Sequence, residues 1–313
     1  MALFLVTGAA GFIGSALVRE LVSRGERVRA LDNLHTGKLE NILEVLDKLE
    51  LLKTDILDRA GLFKACEGVD YVLHHAALPL VPQSVDDPLH AHEINLTGTL
   101  NVLLAARTAR VKRVVYAGSS AVYGENEVQP KMESMVPEPL SPYAIQKLAG
   151  EHYMRCFSRI YGLETVCLRY FNIFGPRQSP SSPYSGVIAR FVTQMLEGKT
   201  PTVFGDGENT RDFTYIENVV QANLLAVNAP SESVVGRSFN IGTGQSYSLN
   251  AMLVLLRDLL AYQGKVSYAP SRIGDVRHSC ADISQAQTYL KYQPEISIET
   301  GLKNTVDWYK TQL

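Results

Sequence analysis

Residues 6–18, VTGAAGFIGSALV, join an apolar run to an amphipathic one through three glycines, Gly8, Gly11 and Gly14. Glycine at that spacing meets three needs together: a tight turn, a main chain close to a pyrophosphate, and close packing of helix on strand. The N-terminus of the following helix then faces the anion. The triplet means little alone, but here it falls at the first strand-to-helix junction, where a dinucleotide-binding fold requires it. Working outward, ALFLVTG (2–8) reads as a strand. GSALVRELVSRG (14–25) reads as a helix, apolar at Ala16, Leu17, Leu21 and Val22, that closes at Gly25.

The same alternation continues. RVRALD (27–32), LELLKT (49–54), DYVLHHA (70–76), RVVYAGS (113–119) and TVCLRYF (165–171) are strand-like runs with helical patterns between them. Strands alternating with helices imply right-handed crossovers and a parallel sheet covered on both faces, an α/β doubly wound (Rossmann) fold. Such sheets bind ligands at their carboxyl edge. After residue 172 the rhythm breaks into FGPRQSPSSPYSG (174–186) and VFGDGENTRDF (203–213), both turn-rich. We therefore expect a first domain over 1–171 with a returning segment near 213–245, in which SFNIGTG (238–244) adds a strand to the first sheet. Residues 172–212 and 246–313 should form a smaller, irregular α/β lobe.

Composition narrows the class. With 46% apolar and 20% charged residues, the 313-residue chain is ordinary for a soluble globular protein. A net charge of −2 and a pI near 6.4 argue against a nucleic-acid surface. Cys66, Cys156, Cys167 and Cys280 lie far apart, with no CxxC pair and no metal-ligand spacing, so reduced thiols and no metal are expected. No apolar run reaches the roughly 18 residues of a membrane span. The opening MALFLVTGAAGFIG runs straight into the glycine turn without a basic leader, which makes a cytoplasmic protein the expectation.

Asp32 ends the second strand, eighteen residues past Gly14. A carboxylate there accepts hydrogen bonds from the adenine ribose and repels a 2′-phosphate, which favours NAD over NADP. Asp55 meets the adenine or caps the next helix, and the sequence leaves both readings open. Further on, SPYAIQKLAGEHYMRCFSRIYG (141–162) reads as a helix from Pro142 to its close at Gly162. It sets Tyr143 and Lys147 one turn apart on one face. With fifteen tyrosines and twelve lysines, chance alone supplies about 0.6 such pairs, so context must decide. A tyrosine titrating near pH 10 needs a shift of about three units, or about 4 kcal/mol, to act as a base near pH 7. The Lys147 ammonium and a positive nicotinamide ring would supply that shift. Ser119, ending the fifth strand in AGSSAVYG, is placed to hydrogen-bond the same substrate oxygen.

TGAAGFIG, LDNL, HHAAL, INLTGTLNVL, SSAVYG, SPYAIQK, RYFNIFGPRQ, GDGENTRDF and RIGDVRHS, spread over nearly the whole chain, resemble the extended short-chain dehydrogenase/reductase family. The likeness is to its nucleotide-sugar 4-epimerases of the UDP-glucose and UDP-N-acetylglucosamine type. The resemblance implies that Tyr143 takes the proton from the sugar 4-hydroxyl while C4 gives a hydride to a retained NAD. The 4-keto sugar then turns over and the hydride returns to its other face. Ser119, Tyr143 and Lys147 would be catalytic. Gly8, Gly11, Phe12, Ile13, Gly14, Asp32, Asn33, Thr36, Gly37, Asp55 and Ile56 would line the cofactor, with Ala76, Ala77, Asn95, Tyr143, Lys147, Tyr170 and Phe171. Ser119, Ser120, Asn172, Gly186, Val187, Phe204, Arg211, Arg272, Asp275 and Ser279 would hold the UDP-sugar. A homodimer through helices near 92–108 and 142–161 is a further implication, with Leu96, Leu100, Leu103 and Leu104 compatible.

Two departures refine the reading. Related 4,6-dehydratases carry Asp and Glu after the position of Ser119, and UDP-glucuronate decarboxylases keep the Glu; this chain has Ser120 and Ala121. Ser279, Gly186 and Pro79 stand where strict glucose/galactose enzymes have Tyr, Asn and Lys, which enlarges the pocket toward an N-acetyl group. The expectation is a UDP-hexose 4-epimerase that also uses N-acetylhexosamines. A UDP-glucuronate 4-epimerase is the alternative, and a non-catalytic NAD-binding sensor is a more distant one, since such a protein would lose the Tyr or the Lys.

Overall fold

A computed structural model describes residues 1–180, 186–271 and 276–312. Six strands follow the sequence reading: β1 Leu3–Thr7, β2 Arg27–Leu31, β3 Glu50–Leu52, β4 Tyr71–His74, β5 Arg113–Ser119 and β6 Glu164–Tyr170. A seventh, Arg237–Ile241, returns from late in the chain and pairs with β6 from Arg237 opposite Val166 to Ile241 opposite Tyr170. All seven are parallel, in the spatial order Arg237–Ile241, β6, β5, β4, β1, β2, β3. The chain reverses its direction of travel across the sheet between β1 and β4, the switch point where a crevice opens beyond the carboxyl ends.

Register brings particular side chains to that edge. Thr7 lies opposite His74 and His74 opposite Tyr116, while Ser119 lies opposite Tyr170. Central strands read as continuous apolar runs because helices cover both faces. All five residues of β1 are buried. One face packs under α1 (Phe12–Ser23) and the helix Ile216–Asn228. The other packs under the helices Arg59–Cys66, Gly98–Thr108 and Pro142–Tyr161.

The helix Pro142–Tyr161 runs alongside β5 and β6. Ser141 caps it by accepting from the Ala144 N–H at 3.2 Å, and Gly162 ends it at φ +69°. Beyond residue 172 short strand pairs replace the long sheet. Thr202–Phe204 pairs with Ser267–Ala269, and Thr210–Arg211 pairs with Tyr247–Ser248 and His278–Ser279. Helices Val187–Leu196, Leu249–Leu260 and Ile298–Lys310 pack on one another there, and Leu249–Leu260 also packs on Tyr247–Ser248. All four cysteines are free; Cys66 and Cys167 are buried, Cys156 and Cys280 partly so. No described helix is long and apolar enough to cross a membrane.

Candidate active site

A cavity of about 1150 Å³ runs along the carboxyl edge of the sheet. At one end its walls carry Gly8, Gly11, Phe12, Ile13, Gly14, Asp32, Asn33, Thr36, Asp55, Ile56, Ala76 and Ala77. Toward the other they carry Ser119, Ser120, Tyr143, Lys147, Tyr170, Asn172, Gly186, Arg211 and Ser279. Residues chosen from distant motifs are thus brought to one space.

The glycine turn has the shape a dinucleotide needs. Gly8 sits at φ +69°, and a Cβ there would stand 2.8 Å from the Ala76 N. A Cβ on Gly14 would stand 2.0 Å from the Gly8 carbonyl oxygen, so α1 reaches the turn only because that carbon is missing. The N-cap of α1 is Gly11, which has no side chain to cap it, and the helix end lies on the cavity. The buried Asp32 carboxylate accepts the Ala10 and Leu34 N–H groups at 2.9 and 2.8 Å. That holds it at the wall with lone pairs to spare for ribose hydroxyls. Asp55 does not cap the next helix: Asp58 does, accepting from Gly61 N–H at 3.1 Å. Asp55 instead accepts from Leu57 N–H and from the Asn33 amide, and it faces the cavity.

Several expected residues stand elsewhere. Asn95 is 1% exposed and off the wall; its amide clamps both main-chain groups of Leu78 and donates to Gln146 at 2.8 Å. Phe171 is wholly buried, packed near the Tyr123 ring. Gly37 lies behind the wall, where a Cβ would meet the Asp32 carboxylate at 2.8 Å. Val187 packs on the core, and the Phe204 ring lies 5.7 Å from the Arg190 guanidinium, so neither lines the cavity. Arg272 and Asp275 lie outside the described residues.

The electrostatics differ from the sequence expectation in one respect. Lys147 is 4% exposed, and its ammonium donates to the Ala117 carbonyl at 2.8 Å. Its nitrogen stands 5.0 Å from the Tyr116 ring centroid and 5.8 Å from that of Tyr143. Burial brings the Lys147 pKa down to about 8, against the upward pull of Glu151. Tyr143 keeps some surface on the cavity, yet burial raises its phenol above the ordinary value, and the Ser119 hydroxyl opposes that shift. The protein alone therefore does not acidify this tyrosine. Lys147 spends its charge on its own desolvation and on a carbonyl rather than on the phenol.

Behind Lys147, Glu151 forms a buried, forked ion pair with Arg169, whose Nη2 and Nε donate at 2.8 and 3.0 Å. Arg169 also donates to the Tyr123 hydroxyl at 2.8 Å, and Ser238 donates to Glu151. Sequence reasoning also passed over His75, on the cavity wall, whose Nε2 lies 3.0 Å from the Tyr170 hydroxyl. Burial drives its pKa down to about 3, so it stays neutral. The doubled histidine at the end of β4 was the available clue. Leu80, Val81, Gln83, Tyr123, Lys131, Arg177 and Gln178 also reach the wall.

A glycine turn that receives a dinucleotide, facing a serine, tyrosine and lysine brought together from β5 and the helix after it, defines a dehydrogenase/reductase-type fold of the extended short-chain class. Within that class, the chain belongs to the NAD dependent epimerase/dehydratase family, whose model matches residues 4–242. It is similar to the UDP-N-acetylglucosamine 4-epimerase of Methanobrevibacter ruminantium, solved with UDP-N-acetylmuramic acid. That likeness has 39% identity and a TM-score of 0.95, covering 100% of this chain and 99% of that one. The UDP-glucose 4-epimerase of Thermotoga maritima, solved with UDP-glucose, matches at 38% identity and a TM-score of 0.94, over 99% of each chain. The UDP-glucuronic acid 4-epimerase of Bacillus cereus, solved with UDP-glucuronic acid and NAD, matches at 33% identity and a TM-score of 0.92. The match covers 99% of this chain and 100% of that one.

Proposed function

We propose that this protein is an isomerase, a UDP-hexose 4-epimerase that interconverts gluco and galacto sugars and also accepts their 2-acetamido forms. The observation that carries the reading is the convergence of Ser119, Tyr143 and Lys147 on the cavity, followed by Ser120 and Ala121. Among the described residues, the carboxylates on the wall are Asp32, Glu40 and Asp55, away from that cluster at the glycine-turn end. An acid and base for dehydration are not supplied beside Ser119, whereas moving one proton at O4 needs only the phenol.

NAD, when bound, supplies a hydride acceptor and donor and a positive ring charge. In the proposed division of labour, Asp32 accepts from the adenine ribose and Lys147 holds the nicotinamide ribose. Tyr143 takes and returns the proton at O4, and Ser119 hydrogen-bonds that oxygen. Asn172, Arg211 and Ser279 attend the nucleotide-sugar. Gly186, Pro79 and Ser279 all lie on the wall, which supports room for an acetamido group. Exposed Ile145 and Ile160, on the helix Pro142–Tyr161, support a homodimer as part of the same proposal.

Incubation with UDP-glucose, UDP-N-acetylglucosamine and UDP-glucuronate, with C4 epimers resolved by NMR, tests this directly. Both the neutral hexose and the acetamido sugar should turn over. An untouched acetamido sugar would refute the enlarged pocket, and turnover of the uronate alone would favour the glucuronate 4-epimerase reading.

A further inference from the structure

The first turn of the helix Pro142–Tyr161 has one donor that its own cap does not satisfy. Pro142 has no N–H. Ala144 N–H goes to the Ser141 hydroxyl at 3.2 Å, and Ile145 N–H to the Ser141 carbonyl at 3.0 Å. The remaining amide, that of Tyr143 itself, donates at 3.0 Å to the hydroxyl of Ser84, a residue 59 positions earlier in the chain.

Ser84 is wholly buried and belongs to the short helix Val81–Asp86. Its hydroxyl donates in turn to the Val81 carbonyl at 2.6 Å, which fixes the rotamer that presents its lone pair to Tyr143. The segment holding Ser84 is also tied down at its start. Leu78 offers both main-chain groups to Asn95, and Asn95 donates to Gln146 at 2.8 Å, the residue just before Lys147. Between these anchors Leu80, Val81 and Gln83 face the cavity. A stretch of chain that touches whatever fills the cavity therefore grips the backbone of the residue whose phenol points into it.

We propose that Ser84 is a positioning residue for Tyr143, holding its main chain so that the phenol keeps its register with Ser119. The proposal rests on Tyr143 as the proton acceptor. An ordinary cap would affect folding alone; a positioning contact affects the chemical step, because small misplacements at a reacting group cost rate rather than binding.

The test compares Ser84→Thr with Ser84→Val in the NAD-loaded full chain. These side chains have the same shape, so any packing penalty is common to both and their difference reports the hydroxyl. Two readouts are taken: amide hydrogen exchange at Tyr143, and kcat and KM for the UDP-sugar that the wild type uses. We expect the Val variant to exchange the Tyr143 amide at least about tenfold faster than the Thr variant. Its kcat should fall on the order of tenfold, with KM within about twofold. Ser84→Ala should behave like Val, and set against wild-type Ser, from which it differs by the hydroxyl alone, it gives the test if Val does not fold. Equal Tyr143 exchange in both variants would overturn the contact. Equal kcat with only a lower melting temperature for Val, or a loss carried by KM, would reduce Ser84 to a cap and overturn its positioning role. A wild type that turns over no UDP-sugar would instead sink the parent reading, while the exchange comparison still decides the Ser84–Tyr143 bond.

Discussion

Lys147→Met should make the NAD-depleted protein more stable and abolish the activity of the NAD-loaded one. Lys147 is 4% exposed, and burial lowers its pKa from 10.5 to about 8. At about 1.4 kcal/mol per pKa unit, keeping it charged at pH 7 costs on the order of 3 kcal/mol. Removing the ammonium leaves the Ala117 carbonyl without its donor, which returns about 1 kcal/mol. The net gain of about 2 kcal/mol corresponds to a melting temperature raised by roughly 3 °C in a chain of this size. The pH dependence has a definite sign. The folded pKa lies below the unfolded one, so between about pH 8 and 10.5 the unfolded chain holds more protons and wild-type stability climbs with pH. The advantage of the methionine variant should be full below pH 8 and fade across that window. Differential scanning calorimetry at pH 7 and pH 10 measures both quantities. A methionine variant no more stable than wild type at pH 7, or one whose advantage is the same at both pH values, would refute the reasoning.

The ion pair behind Lys147 and the acid at the end of β2 yield two further predictions. Glu151→Gln leaves Arg169 charged and unpaired where its side chain is 6% exposed, and should cost about 3–5 kcal/mol in urea unfolding. Replacing both partners by methionine should recover most of it; a single-variant cost below about 1 kcal/mol would show that the pair behaves as a surface one. Asp32→Ala removes a repulsion of a few kcal/mol toward a 2′-phosphate, so the preference for NAD over NADP in equilibrium dialysis should fall at least about tenfold. An unchanged ratio would remove Asp32 from cofactor choice.

What the sequence disclosed and what it withheld follow from how local each feature is. The strands, the Gly8–Gly14 turn, Asp32 and the helix Pro142–Tyr161 were legible because each is written in a few adjacent residues with a fixed period or cap. The returning strand Arg237–Ile241 was legible for the same reason, although its pairing with β6 is long-range. Asn95 was misplaced because its motif marks a buried clamp on Leu78, and a motif does not say which way an amide points. The state of Tyr143 could not be read at all. Spacing shows that Lys147 is one turn away, but only the fold shows that both are desolvated and that the ammonium is taken by Ala117. Ser84, His75 and the Glu151–Arg169 pair escaped notice because each works through a partner 18 to 95 positions distant.

Tyr143→Phe tests the central claim most directly, because it deletes one oxygen and keeps the ring. Measured beside wild type on UDP-glucose, with C4 products quantified by NMR, the variant should lose a factor of about 10²–10⁴ in kcat while KM stays near its wild-type value. Equal turnover in the two proteins would contradict the assignment of the proton to this phenol and, with it, the epimerase reading built upon it.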